Sequence, residues 1–184
     1  MSEHQVEIPS EHVEHTKHLS RDVAVAVAIM AIIAASIGSL QETESAHALG
    51  LKNESVLLQT RASDQWAFFQ AKSVKKNGYL IAAQQAKMAG QNDADFAAKV
   101  EKYANEENEV QAEAKKLETE SHEKWELSSH HTHRQHTLTL ALTLVHVGIA
   151  ISSLALFTSR RIALHGALFL VAGGIGVAAF AFLA

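Results

Sequence analysis

The chain has 184 residues, a length that suits one domain or one membrane module rather than a multi-domain enzyme. Its 16 Lys and Arg against 20 Asp and Glu give a net charge of −4, so no basic domain points to a nucleic-acid partner. The chain has no cysteine, which excludes disulfides, thiolate catalysis and iron–sulfur clusters. A single proline and few aromatic residues favour long helices over β-sheet.

Three stretches carry no charged residue at all: residues 23–40, 137–157 and 162–184, which are 18, 21 and 23 residues long. About 20 consecutive apolar residues suffice to cross a bilayer as a helix. The sequence therefore predicts an all-α membrane protein with three transmembrane helices, and it excludes an ordinary soluble enzyme. The acidic N-terminal segment 1–22 is unlike a signal peptide, so we expect the first span to be a retained anchor.

The positive charges near the spans predict the orientation. Arg160 and Arg161 occupy the short basic turn 158–161 between the second and third spans, and Lys17 and Arg21 precede the first span. Positive charge in short loops stays in the cytoplasm. We therefore expect the N-terminus in the cytoplasm, residues 41–136 outside it and the C-terminus at the outer face.

The segment 41–136 has the composition of a helical hairpin with a turn near 90–93. Gly90 suits a helix end, and Asn92 or Asp93 suits the start of the next helix. After the turn, eight residues follow the alternating four- and three-residue spacing of a coiled coil: Phe96, Val100, Tyr103, Glu107, Val110, Ala114, Leu117 and Ser121. The preceding arm has a matching stripe: Leu51, Leu58, Ala62, Trp66, Phe69, Ser73, Leu80 and Gln84.

Folding the chain back at Asn92 predicts a long antiparallel coiled-coil hairpin between the first and second spans. Four contacts are expected along it: Leu58 with Trp125, Trp66 with Leu117, Phe69 with Ala114, and Leu80 with Tyr103. Glu107 and its acidic neighbours are expected on a solvated face rather than in a site.

The stretch Ala62 to Lys75 reads Ala-Ser-Asp-Gln-Trp-Ala-Phe-Phe-Gln-Ala-Lys-Ser-Val-Lys. It resembles the signature of an uncharacterised bacterial inner-membrane protein family, a domain of unknown function. The order of span, signature, charged helical segment and two spans joined by an arginine-rich turn is similar throughout. The chain departs from that family in its His-rich flanks and at Phe68 and Phe69, where the family has tyrosines. The resemblance implies an architecture and a bacterial inner membrane, but no activity.

Two surfaces are candidates for protein contact. Trp66 and Phe69 form a bulky ridge, and Phe68 lies about 100° away on the same helix, so at least one ring is expected to face another hairpin or solvent. The ridge either locks hairpins in register or docks a ligand or partner. In the first span, Ala28 and Ala35 belong to a stripe of small residues that favours close helix packing. The third span has a similar patch: Gly166, Gly173, Gly174 and Gly176.

Two sets of histidines repeat every three residues: His12, His15 and His18 before the first span, and His130, His133 and His136 before the second. Imidazoles three residues apart are neighbours on a helix and are good ligands for Zn²⁺, Cu²⁺ or Ni²⁺. The alternative is a pH-responsive polar collar at the membrane interface. The predicted topology puts the two sets on opposite faces of the membrane.

His146 and His165 lie inside the second and third predicted spans, where an ionisable side chain is costly and is a functional candidate. We expect an inter-helix hydrogen bond, for example to Ser152, Ser153 or the threonines of the second span. Haem binding or a proton path is the alternative.

No nucleophile with its base and no poised pair of carboxylates is found, so we expect no enzyme. The leading hypothesis is a membrane scaffold in contact with lipids, either a homo-oligomer or a subunit of a larger membrane complex. The competing hypothesis is a metal- or pH-responsive binding protein that uses the His-rich segments. We expect no cofactor, and the alternative is a divalent transition metal bound by the His-rich segments.

Overall fold

The computed structural model describes residues 10–158 and 161–183, and the side chains of residues 20–155 and 161–183. Three helices account for the described chain: α1 (Ser10–Met88), α2 (Ala94–Thr158) and α3 (Arg161–Phe180). No strand occurs in these ranges. The prediction of an all-α protein is confirmed.

Each of the three helices contains a window long and apolar enough to cross a membrane. The mean hydropathy of these windows is 2.5 in α1, 2.0 in α2 and 2.0 in α3. Each of the three uncharged stretches of the sequence begins within a different one of these helices, and the apolar windows indicate a membrane protein.

The chain divides into two units: residues 1–47 with 130–184 form the first, and residues 48–129 form the second. The core of the first unit is built from all three helices. Its buried side chains are Met30, Ala34, Ile37, Leu138, Ala141, Val145, Ala167, Val171 and Ala181. They are aliphatic except for the thioether of Met30, as expected for helices that pack inside a bilayer.

Two glycines let α2 and α3 approach closely in the first unit. A Cβ atom on Gly148 would lie 2.8 Å from Cγ2 of Val171 and 3.1 Å from the carbonyl oxygen of Ala167. A Cβ atom on Gly174 would lie 2.9 Å from the carbonyl oxygen of Ala141. Of the predicted glycine patch on the third span, Gly174 alone is in such a contact. A Cβ atom on the other three glycines would meet nothing within 4 Å: Gly166, Gly173 and Gly176. The close approach at Gly148 was not predicted.

In the second unit, α1 and α2 are separated by a short break at residues 89–93. Gly90 has a left-handed backbone with φ of 67°. The amides of Gly90 and Gln91 donate to the carbonyls of Lys87 and Ala86, which is the pattern that closes a helix at a C-terminal glycine. Asn92 Oδ1 then accepts the Ala94 amide at 3.1 Å and so helps to begin α2.

Small residues line the contact between α1 and α2 farthest from this break. Ser55 Oγ donates to the Ser121 carbonyl at 2.8 Å, and Ser121 Oγ donates to the Ser55 carbonyl at 2.9 Å. One heptad away on each side, Ser128 donates to the Ala48 carbonyl, and Ala62 and Ala114 are completely buried. Side chains this small allow two helices to approach closely, and each hydroxyl satisfies a carbonyl of the opposite helix.

Closer to the break at residues 89–93, larger side chains form the contact between α1 and α2. Trp66 Nε1 donates to Glu118 at 2.9 Å, Lys76 pairs with Glu107, and the rings of Tyr79 and Tyr103 stack with their centroids 5.5 Å apart. The partner in α2 thus moves back along the chain as α1 advances, which is the order of antiparallel helices.

The α2 stripe of the sequence analysis follows this contact along its whole length, since all eight of its residues are buried or half-buried. The α1 stripe does so only as far as Ser73. Leu80 and Gln84 were expected in it and are exposed. Tyr79 takes the predicted place of Leu80 against Tyr103, and Ala86 is buried beyond it. The expectation for these two residues is wrong because the contact shifts around α1 by one position after Ser73.

Glu107 requires a second correction. We expected it on a solvated face, but 7% of it is exposed, and it forms an ion pair with Lys76 across the two helices. A carboxylate in a contact between two helices is tolerated when a cation of the facing helix pairs with it.

Candidate functional site

The most extensive candidate surface runs along α1 on the side opposite to α2. Between Ala67 and Met88 it occupies alternating four- and three-residue steps: Ala67, Ala71, Val74, Gly78, Ile81, Gln85 and Met88. We call this set the outer stripe. All seven residues are exposed and none is charged.

The large apolar side chains of the outer stripe are exposed and lie on one row of the helix. The exposed fractions are 72% for Val74, 55% for Ile81 and 80% for Met88, and these three residues are seven positions apart. Charged residues lie on both flanks, for example Lys75 and Lys87. An uncharged row with charged flanks at heptad spacing is a surface suited to packing against another helix.

The predicted aromatic ridge lies partly within the α1–α2 contact. Trp66 and Phe69 are half-buried and meet edge to face, with ring centroids 5.3 Å apart. Phe68 points away from α2 and is 59% exposed. The ring that cannot fit the contact is therefore Phe68, and it widens the apolar surface near the outer stripe.

The small-residue face of the first span is also uncovered. Ala28 and Ala35 are both exposed. The same segment of α1 contributes Met30, Ala34 and Ile37 to the core of the first unit. The alanine face is thus free for lipid or for another helix.

A charged and aromatic cluster lies where the first unit brings α1 and α2 together. His131 Nδ1 lies 2.6 Å from Oε2 of Glu44, whose residue is 9% exposed. The ring of His47 stacks on that of His131 with centroids 5.4 Å apart, and His130 meets His131 edge to face at 6.3 Å. We call these four residues the histidine cluster.

The predicted metal ligands do not converge in the described part of the chain. His130, His133 and His136 are all exposed, and no group of three His, Asp or Glu able to hold a metal occurs among the described side chains. His12, His15 and His18 lie outside the residues whose side chains are described. Metal binding stays a prediction.

The two histidines of the predicted spans are both exposed, and neither forms a hydrogen bond with a described residue. The expected bonds to serine or threonine do not occur among the residues whose side chains the structure describes. Ser152 is completely buried and lies 3.6 Å from the sulfur of Met30 instead. Thr139, Thr143 and Ser153 donate to carbonyls of their own helix.

Two ion pairs join α1 to α2 near the outer stripe. The hydrogen bond from Lys72 lowers the pKa of the Glu106 carboxyl below its ordinary value, and the same bond raises the pKa of Lys72. The hydrogen bond from Lys76 lowers the pKa of Glu107, although partial desolvation opposes the shift. Both ion pairs lie on the face of α1 that meets α2.

The outer stripe and the Glu44–His131 contact were not predicted. The stripe has a signal in the sequence, because its heptad positions from Ala67 to Met88 lack charge in a segment rich in lysine. The Glu44–His131 contact has no local signal, since it joins residues far apart in the chain.

An all-helical chain with three helices long and apolar enough to cross a membrane falls in the class of helical membrane proteins. Residues 19–184 match the model of a family described as a domain of unknown function, DUF4337. The chain belongs to this family. No curated protein and no solved structure matches it.

Proposed function

We propose that the protein is an integral membrane assembly protein with no catalytic activity of its own. Spans at 23–40, 137–157 and 162–184 anchor it in a bacterial inner membrane, and residues 41–136 lie outside the cytoplasm. The paired parts of α1 and α2 form a coiled-coil hairpin there. The apolar windows of the three helices and the basic residues of the 158–161 turn support this arrangement.

The exposure of the outer stripe carries the proposal. Burial of one large aliphatic side chain stabilises by about 1.5–3 kcal/mol relative to leaving it in water. That stabilisation is absent in the single chain, because three large apolar side chains on one row of the helix are exposed: Val74, Ile81 and Met88. A second helical surface, on a neighbouring copy or on a subunit of a larger membrane complex, covers such a row well.

The test is the mass of the assembly after mild solubilisation. Ile81→Glu puts a charge in the centre of the outer stripe and is expected to reduce the mass by at least one subunit. Ala112→Glu adds the same charge on an exposed position of α2 and should leave the mass unchanged. Identical masses for wild type and Ile81→Glu would contradict the proposal, and co-purifying proteins would identify a partner.

A second candidate function is that of a metal- or pH-responsive binding protein that uses the histidines before the second span. His131 Nδ1 lies 2.6 Å from the carboxylate of Glu44, which is a polar contact between α1 and α2 in the first unit. Metal analysis of protein purified from metal-replete cells tests the metal form. Stoichiometric metal that is lost when His130, His133 and His136 become Ala would support it, and metal-free protein would contradict it.

A further inference from the structure

The exposed side of α2 within the first unit is divided lengthwise into two strips of different chemistry. One strip is apolar and includes Leu140 and Val147, which are 64% and 44% exposed. The other follows four- and three-residue steps and is largely polar: Thr139, Thr143, His146, Ala150 and Ser153. All five residues of this second strip, which we call the polar strip, are exposed.

The hydroxyl oxygens of the polar strip can each accept a further hydrogen bond. Thr139 donates to the carbonyl of Gln135 at 2.9 Å, Thr143 to that of Thr139 at 2.8 Å, and Ser153 to that of Ile149 at 3.1 Å. Each hydroxyl has one hydrogen, so these bonds use it and leave lone pairs on the oxygen. Lipid tails offer no donor for them.

His146 is the complementary group on the same strip. A neutral imidazole carries one N–H donor and one acceptor nitrogen, and His146 has no hydrogen-bond partner among the described residues. It lies next to the midpoint of the span 137–157, about 15 Å from either end at the rise of an α-helix, which is too far for its short side chain to reach water. Leaving it in hydrocarbon is costly.

We propose that a second copy of this chain covers the polar strip, so that the second spans of two protomers form a parallel pair. This rests on the proposed membrane location. Copies of one chain insert with the same orientation, and a two-fold axis along the helices brings the strip of one copy onto that of the other. The polar strip is self-complementary, because each copy supplies both the imidazole donor and the hydroxyl acceptors.

The pairing places the His146 ring of each copy beside the Thr143 hydroxyl of the other, where the ring N–H donates to the hydroxyl oxygen. The two bonds are equivalent by symmetry. Ala150, the one small apolar residue of the strip, allows the helices to approach closely one turn further along. The apolar strip with Leu140 and Val147 then remains in contact with lipid.

Cysteine cross-linking in native membranes tests the pairing, and the chain has no cysteine of its own to interfere. Ala150→Cys lies on the polar strip and is expected to give a disulfide dimer on mild oxidation. Val147→Cys, on the neighbouring apolar strip, is the matched control and should give at least about fivefold less dimer. Equal yields, or a cross-linked band with the mass of a different protein, would overturn the proposal.

The role of the imidazole is tested in the Ala150→Cys background. His146→Leu should lower the dimer yield about five- to tenfold, as expected for the loss of two inter-helix hydrogen bonds. His146→Asn keeps a donor and an acceptor and should retain most of the yield, and His165→Leu should have no effect. An unchanged yield with His146→Leu would contradict the hydrogen-bonded pairing.

Carbonate extraction of the same membranes tests the membrane location separately from the pairing of the second spans. Release of the wild-type protein would contradict the membrane location and this pairing together. Retention in the membrane without cross-linking at position 150 would overturn the pairing alone.

Discussion

At the scale of single residues, the ion pair of Glu107 with Lys76 shows how a contact between two helices accommodates a carboxylate. Glu107 is nearly buried, and the ammonium of Lys76 holds its pKa below the ordinary value. A group with a lowered pKa in the folded state stabilises that state above its unfolded pKa, which is about 4.3 for Glu. The stabilisation disappears as the pH falls below that value and passes through the folded pKa.

Glu107→Gln should therefore destabilise the helical arms at neutral pH, because Lys76 loses its partner. The difference from wild type should shrink as the pH falls below the unfolded-state pKa of about 4.3 and passes through the lowered pKa of folded Glu107. Thermal unfolding followed by circular dichroism at several pH values measures this. Glu109→Gln removes an exposed carboxylate from the same helix and serves as the control. A difference that does not depend on pH would show that the charge is not responsible.

The reciprocal Ser55–Ser121 hydrogen bonds allow a second test at this scale. Ser55→Ala removes one donor and should reduce the free energy of unfolding by about 1 kcal/mol. Ser55→Leu must also push the helices apart and should cost more, about 1–3 kcal/mol in addition. Val56→Leu, at an exposed neighbour, should be close to neutral. Equal stability of the Ser55→Leu and Ser55→Ala variants in denaturant unfolding would mean that the helices are not in close contact there.

At the scale of helices, the α2–α3 contact depends on two glycines. Gly148→Ala should reduce the free energy of unfolding by about 1–3 kcal/mol, because the new methyl group meets both Val171 and the backbone of Ala167. Gly166→Ala places the same methyl group in open space and is the matched control. Unfolding of the solubilised protein in increasing SDS measures both. Equal stability of the two variants would contradict the close contact.

The sequence predicts these elements to different degrees. The apolar windows follow directly from runs without charge, and the break at Gly90 follows from turn chemistry. The α1 face that meets α2 was predicted correctly only up to Ser73. Beyond that point, Tyr79 and Leu80 are equally suitable by composition, and the choice between them depends on the ring stacking with Tyr103 on the other helix. A single-helix pattern contains no information about that partner.

The same reason explains what was missed in the candidate surfaces. His146 is exposed because other residues of α2 face the core that α2 forms with α1 and α3. Those residues are Leu138, Ala141 and Val145. The periodicity of Thr139, Thr143 and Ser153 is visible in the sequence, but whether it faces protein or lipid is a tertiary property. Glu44 and His131 meet only because their helices lie together in the first unit.

At the scale of the whole molecule, the uncovered surfaces predict self-association. Ala28→Leu with Ala35→Leu fills the smooth face of the first span, and Phe68→Ser removes the exposed ring near the outer stripe. Each is expected to lower the mass of the solubilised assembly, since both surfaces are exposed in the single chain. Wild-type protein that is monomeric at micromolar concentration in mild detergent would contradict homo-oligomeric assembly and favour a different partner.

The central claim is that three helices cross the membrane and that residues 41–136 lie on its outer side. Labelling of single cysteines on intact spheroplasts with an impermeant thiol reagent tests it most directly. Asn92→Cys, in the break between α1 and α2, is expected to react at once. Ser159→Cys, beside Arg160 in the basic turn, is expected to react only after the membrane is permeabilised. Labelling of Ser159→Cys on intact spheroplasts, with Asn92→Cys protected, would contradict the orientation, and immediate labelling of both would contradict the membrane topology.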